Sequence, residues 1–407
     1  MRTPRNSGPD AGASPGDTGG TGRVLPGPSL SPLVDALVAR GYQVIAPTLL
    51  DGAISYREIS SAAELPYGWT DRQDAGTYRV QRRADSAAFG HVVGPGSLKQ
   101  YLFPPRSQLW RSRRPEGTSD TGAHFRPEEP DRTRPRYAFL GVRSCDLAAV
   151  AVQDRVFLDA RHPDPEYAAR TAGSFVVAVS CGEPAPSCFC TSMGTGPTPQ
   201  SCSVGDRPVA FDLSLTELLG HPGPADHSFL AVAGSDRGAQ LLATLPGREA
   251  TDADHAAAGR QEDTARAAMV RSLDTSLLPG LLTANPEHPR WDDVGERCLG
   301  CTNCTMVCPT CFCSSVEDVT DLDGTLARER SWDSCFTTDF GYIHGGSVRT
   351  STRARYRQWL THKMDTWHAQ FGTSGCVGCG RCIVWCPVGI DVTEEVAAIA
   401  APAEDAP

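Results

Sequence analysis

The 407-residue chain lacks any apolar stretch near the length of a membrane span; its strongest runs, such as "SFVVAVS" and "YAFLGV", are strand-sized. It also lacks positive charge in excess. Thirty-eight Lys and Arg against 48 Asp and Glu leave a formal net charge of −10, which argues against a nucleic-acid-binding surface. The opening segment, "MRTPRNSGPDAGASPGDTGGTGR", carries basic residues with no apolar stretch behind them, so neither a secretory nor a twin-arginine signal is expected. A cytoplasmic protein with no membrane partner is the expectation. Nucleotide fingerprints are missing too. No G-x-G-x-x-G opens a helix after a strand, "DTGGTG" has the wrong spacing, and there is no P-loop. The ten histidines form no H-E-x-x-H pair.

Cysteine is what the chain has in quantity: 16 residues. In the cytoplasm thiols stay reduced, so cysteines clustered at short spacing point to metal binding or redox chemistry rather than to disulfides. Two clusters stand out, "CLGCTNCTMVCPTCFC" at 298–313 and "CVGCGRCIVWCP" at 376–387.

Ahead of them the sequence predicts an α/β domain. Residues 1–23, rich in Gly, Pro, Ser and Asp, are expected to be a disordered tail, and 111–136, full of Pro and mixed charge, a disordered surface insertion. Between these, Ser31 is placed to cap a helix with Pro32 at its first position, Gly41 to end it, and "YQVIAP" to follow as a strand. "RYAFLGV", "DLAAVAVQDRVF" and "SFVVAVS" read strand, helix, strand, and "HSFLAVAGSDRGAQLLATL" repeats the strand–Gly–helix order. That alternation predicts a mixed or parallel sheet covered by helices over 24–247. An alanine-rich helical linker is expected at 248–295, a helical dicluster domain at 296–395 and a flexible tail at 396–407.

Cys298, Cys301, Cys304 and Cys308 follow C-x2-C-x2-C-x3-C-P, and Cys376, Cys379, Cys382 and Cys386 repeat it. Three thiolates at spacings of two can hold three corners of a cubane [4Fe–4S] cluster, the fourth arriving from elsewhere. In two-cluster ferredoxins the fourth cysteine of each run serves the other cluster. One cluster then takes Cys298, Cys301, Cys304 and Cys386, and the other Cys376, Cys379, Cys382 and Cys308. Gly300, Gly378 and Gly380 suit the tight backbone between ligands. Zinc uses paired C-x2-C sites but does not call for three evenly spaced cysteines plus Cys-Pro, twice. The 67 residues between the runs read mainly as helices, as in an α-helical ferredoxin. Arg349, Arg353, Arg355, Arg357 and Lys363 form a basic stretch there, read as a solvated helix face that offsets cluster charge, or else as a dock for an acidic partner.

Eight cysteines are left over. Cys145 and Cys181 follow neighbouring strands, and Cys188 and Cys190 lie in the next loop, so four thiols are expected at the carboxyl edge of the sheet. A third iron–sulfur cluster, a zinc site, or buried metal-free thiols are the readings of that group. Cys311 and Cys313 lie close to the first run and Cys335 sits in "RSWDSCF"; all three default to packing, and Cys202 has no partner signal.

"CLGCTNCTMVCPTCFC", "WDSCF", "RYRQWLTHK", "GCVGCGRCIVWCPVGID", "GVRSCDLAAVAVQDRVFL", "CFCTSMGTGP" and "GSLKQYLFPP" together resemble an iron–sulfur subunit shared by two enzyme systems, over about residues 30–395. One is the beta subunit of cytoplasmic NAD(P)-linked nickel–iron hydrogenases, the sulfhydrogenases. The other is the corresponding iron–sulfur subunit of anaerobic sulfite reductase. The resemblance implies electron relay between a flavin subunit handling NAD(P)H and a catalytic subunit, here a hydrogenase, with sulfite reductase as the alternative. The chain has neither the paired C-x2-C motifs of a large hydrogenase subunit nor a sirohaem-type cysteine pattern, so no residue is assigned a catalytic role. A stand-alone enzyme and a free electron carrier are the remaining readings.

Overall fold

The computed structural model describes residues 22–113, 126–128, 135–159, 161–221, 223, 226–322 and 324–401. The expected N-terminal tail up to residue 21, much of the 111–136 segment and residues 402–407 lie outside this set.

The sheet at the centre of the N-terminal region follows from alternation along its strands. In Gln43–Leu50, Tyr137–Arg143 and Phe175–Val179, odd and even positions face opposite sides. Val44, Ala46, Ala138, Leu140, Val177 and Val179 pack beneath helices Ser31–Ala39 and Asp236–Leu242. Ile45, Phe139 and Ala178 pack on the other side, under helix Ser144–Phe157. Eight strands lie in the order 248–249, 23–26, 227–233, 213–219, 175–179, 137–143, 43–50, 53–59. The four from 213–219 to 43–50 are mutually parallel and the outer pairings antiparallel, so the sheet is mixed. A bulge at Gly141, with φ of +81°, turns the 137–143 strand so that Val142 joins Phe139's face.

Differences from the expectations are local. The first strand is Arg23–Pro26, at the edge of the tail, because it pairs with residues 228–231 some two hundred positions away. Leu30 rather than Ser31 occupies the cap of the first helix, with Ser31 bonded to Ser29. Residues 314–332, expected to be helical, form a hairpin, Ser314–Thr320 with Thr325–Trp332. Its second strand also pairs with Arg106–Arg113, and the latter with Arg126–Glu128, making a four-stranded sheet. Cross-strand charge pairs, Asp318 with Arg328 and Glu329 with Arg106, favour that register. This sheet ties the cysteine-rich region to the α/β region.

Apart from a short hairpin of Tyr342–Ile343 with Gly346–Ser347, the rest of the C-terminal region is helical or irregular. Helices Arg290–Arg297, Thr352–Thr361 and Val392–Ala400 surround a core of Trp291, Trp359, Leu360 and Met364, against which Cys298, Cys304, Cys335, Cys376, Cys382 and Cys386 pack. Trp367 and Phe371 of helix Trp367–Phe371 pack instead into the core beneath helix Ser144–Phe157. Val392–Ala400 runs well into the segment expected to be a flexible tail. Among the described residues no helix is long and apolar enough to cross a membrane.

Candidate iron–sulfur centres

The two cysteine runs fold alike. In each, a glycine between the first two cysteines adopts a left-handed backbone, Gly300 at φ +62° and Gly378 at φ +64°. In that conformation its N–H donates back to the preceding cysteine sulfur, Gly300 to Cys298 and Gly378 to Cys376, both at 3.4 Å. A second left-handed residue, Thr302 at +69° or Gly380 at +75°, then opens a one-turn helix, Asn303–Met306 or Arg381–Val384. Thr302 shows that this second position tolerates a side chain in the first run. Gly380 has no such room, because a Cβ there would sit 2.5 Å from the Ser187 carbonyl oxygen. At Gly378 a Cβ would lie 2.7 Å from the Cys190 backbone. Both glycines let the second run press against the 187–190 loop, where Phe189 N–H donates to the Gly378 carbonyl at 2.9 Å.

The runs also meet each other. Asn303 Nδ2 donates to the Trp385 carbonyl at 3.2 Å. One cavity is lined by Cys298, Cys301, Cys304 and Cys386, with Cys382, Phe336, Tyr356 and Trp359 on its walls. Cys386 is thus placed with the first run's three cysteines, and its sulfur accepts the Ile390 N–H at 3.3 Å. Cys308 lies among Cys376, Cys379 and Cys382, near enough for its charge to act on all three. Its surroundings favour a thiolate. A hydrogen bond from Cys311 holds its ionisation well below the ordinary thiol range, helped by the Lys363 ammonium and the Thr310 hydroxyl. Burial pushes Cys376 the other way, to about 12. Cys301 is exposed and Cys379 buried, so the first site opens to the surface while the second is enclosed.

Cys145, Cys181, Cys188 and Cys190 line another cavity, together with Cys379, Met269, Pro184 and Pro197. The expected strand–helix–strand unit brings them there: Cys145 lies in the first turn of the helix after Tyr137–Arg143, and Cys181 follows Phe175–Val179. Burial raises all four thiols, Cys188 to about 12. Any metal bound there would have to displace those protons. Because Cys379 lines the same cavity, this site adjoins the second run's site.

Among the described residues no three His, Cys, Asp or Glu side chains are drawn in to single-metal distance. A zinc ion holds its sulfurs at about 2.3 Å, whereas a cubane carries its ligands on four separate irons and takes a wider set. The cysteine sets, with N–H donors aimed at their sulfurs, fit the cubane.

Sequence reasoning placed the basic stretch on a solvated face, and the structure divides it. Arg353 and Arg357 pair with Glu287 at the surface. Lys363 is buried, 6% exposed, and donates to Cys308 Sγ at 3.2 Å. Cys311 lies beside Cys308, and Cys313 is bonded by Cys335, which lowers Cys313 to about 7. Only the closeness of Cys311 and Cys313 to Cys308 in the chain hinted at this group.

Residues 297–390, both runs and everything between them, match the 4Fe–4S dicluster domain family. Sulfhydrogenase 2 subunit beta of Pyrococcus furiosus is 30% identical over 298 residues, covering 72% of this chain and 79% of that protein. The chain belongs to the sulfhydrogenase beta-subunit family. It is an iron–sulfur protein of electron transfer, and its mixed-sheet α/β region and helical dicluster region are the fold that the cysteine spacing and strand alternation imply.

Proposed function

We propose that this sulfhydrogenase beta-type chain passes electrons, inside a cytoplasmic complex, between a flavin subunit handling NAD(P)H and the catalytic subunit of a nickel–iron hydrogenase. The ligands are assigned crosswise: Cys298, Cys301, Cys304 and Cys386 to one [4Fe–4S] cluster, and Cys376, Cys379, Cys382 and Cys308 to the other. The single observation that carries this reading is the shared cavity of Cys298, Cys301, Cys304 and Cys386, which joins cysteines from two runs far apart in sequence. Cys145, Cys181, Cys188 and Cys190 hold a third iron–sulfur cluster beside Cys379 in this reading.

Bound clusters of this kind accept and release single electrons at potentials that span roughly −700 to +450 mV. The protein's part is to hold and insulate them. Gly300, Gly378 and Ile390 N–H groups donate to ligand sulfurs and so stabilise the added negative charge of reduction. Phe336, Tyr356 and Trp359 wall the first site from water on its inner side. Exposed Cys301, with the exposed Leu299 beside it, leaves one edge open where a partner protein can approach. The third site adjoins the second through Cys379, which lines the same cavity.

Anaerobic purification of the tagged chain from its native cell tests the assignment. Stoichiometric nickel in the co-purifying complex supports it. Sirohaem without nickel would make the chain the sulfite reductase component, and neither would return it to the stand-alone readings. About twelve irons per chain supports the third cluster and about eight removes it.

A further inference from the structure

Lys363 and Lys99 are both buried, 6% and 4% exposed, and among the described residues neither has a carboxylate partner. Buried cations need compensation, because desolvating an unpaired ammonium costs several kcal/mol. Lys99 donates to the Met306 carbonyl at 3.2 Å and lies 4.0 Å over the Trp332 ring. Lys363 goes further and reaches a sulfur.

Lys363 sits in a π-helical turn, His362–Thr366, between two α-helical segments. Such turns re-aim side chains that a regular helix would send elsewhere, and they recur at functional sites. Asp365, on the same turn, is committed elsewhere, accepting the Gly280 and Thr283 N–H groups at 2.8 and 2.7 Å. Lys363 Nζ has three acceptors: Cys308 Sγ at 3.2 Å, Thr310 Oγ1 at 2.7 Å and the Gly375 carbonyl at 3.1 Å. An ammonium has three donors and no acceptor, so this shell satisfies a charged lysine completely. The corresponding cysteine of the second run, Cys386, receives a neutral backbone N–H from Ile390 instead. The first site has a cation nearby too, Arg355, which acts on Cys298 through space but donates to the Arg349 and Thr350 carbonyls. Among the described residues, the direct cationic hydrogen bond to a run cysteine is the one from Lys363 to Cys308.

We propose that Lys363 sets the reduction potential of the cluster held through Cys308, raising it by fixing a positive charge on one ligand sulfur. The proposal rests on the crosswise ligand reading. Reduction adds one negative charge to the cluster, and a cation in a low-dielectric site stabilises the reduced form more than the oxidised one. Lys363 thereby makes the enclosed site a better electron acceptor than its buried surroundings alone allow, which favours electron transfer onto it from either neighbour.

The test is an anaerobic EPR-monitored redox titration of the full chain and of Lys363→Met and Lys363→Gln, with iron counted in each. In Lys363→Met the reduction equilibrium of one cluster should fall about tenfold, 59 mV for a one-electron couple, while every other cluster signal stays put. Lys363→Gln, which keeps a neutral donor, should fall by less. Full iron with unchanged, equal or upward shifts would overturn the proposal. So would loss of iron from both variants, which would assign Lys363 to holding the cluster rather than tuning it. Cys308→Ser is run in parallel: if it alters neither signal, the ligand reading fails, independently of Lys363.

Discussion

Arg381 joins the cysteine-rich region to the α/β region through a buried ion pair. It lies between Cys379 and Cys382, yet its guanidinium reaches back to Asp146 at 2.8 and 3.0 Å and to the carbonyls of Gly94 at 2.8 Å and Gly96 at 3.0 Å. Both Arg381 and Asp146 are 1% exposed. In Arg381→Met the Asp146 carboxylate stays buried and, among the described residues, keeps a 3.5 Å contact from Tyr56 Oη, while the Gly94 and Gly96 carbonyls lose the Arg381 donors. Removing one member of a buried pair costs about 3–5 kcal/mol. At roughly 2–4 °C per kcal/mol for domains of 150–250 residues, the holoprotein's thermal midpoint should drop on the order of 10 °C. The double variant Asp146→Leu, Arg381→Met removes both charges and should lose markedly less than the sum of its single variants, as coupled sites do. A midpoint for Arg381→Met within a degree or two of the parent would show that the pair does not hold the regions together. Strict additivity in the double variant would show the same.

Three further outcomes follow from local geometry. Burial raises the Asp154 carboxyl to about 6, against a hydrogen bond from Tyr167 Oη at 2.8 Å that works the other way. The folded state therefore binds this proton more tightly than the unfolded chain, and stability falls as pH rises from about 4 to about 6. Asp154→Asn should remove that slope and gain roughly 2–3 kcal/mol at neutral pH, read by denaturant midpoints across the range; an unchanged slope would count against it. Gly378→Ala should release the second run from the 187–190 loop and lower iron content, since its Cβ would meet the Cys190 backbone at 2.7 Å. Gly52→Ala, at φ +77° with open space around it, bears the left-handed strain alone, about 1–2 kcal/mol, and should keep its iron. Equal iron in both would show that the contact at Gly378 is unimportant. Lys363→Met, described above, should lower one potential and leave every other.

Local patterns in the sequence carried the site a long way. Cysteine spacing picked out two sets of candidate ligands, because three thiols at spacings of two can converge within one tight turn of chain. Cys145 and Cys181 were legible because strand alternation located the ends of Tyr137–Arg143 and Phe175–Val179. What escaped was set by distant partners. The 314–332 hairpin has mixed charge along both strands and no apolar stripe, so nothing local tells it from an exposed helix. Its pairing with Arg106–Arg113 decides the matter. Arg23–Pro26 gave no strand signal for the same reason. Lys363 follows a run of half-buried arginines, and the widened turn at His362–Thr366 brings it inward to Cys308.

Electron relay through this chain stands or falls with the crosswise ligation, which serine substitution read by EPR can test. Cys298→Ser, Cys386→Ser, Cys376→Ser and Cys308→Ser are prepared anaerobically as full chains and reduced stepwise, and the altered cluster signal is identified in each. Crosswise ligation requires that Cys298→Ser and Cys386→Ser change one signal, and that Cys376→Ser and Cys308→Ser change the other. Pairing by run, Cys298 with Cys308 and Cys376 with Cys386, would contradict it.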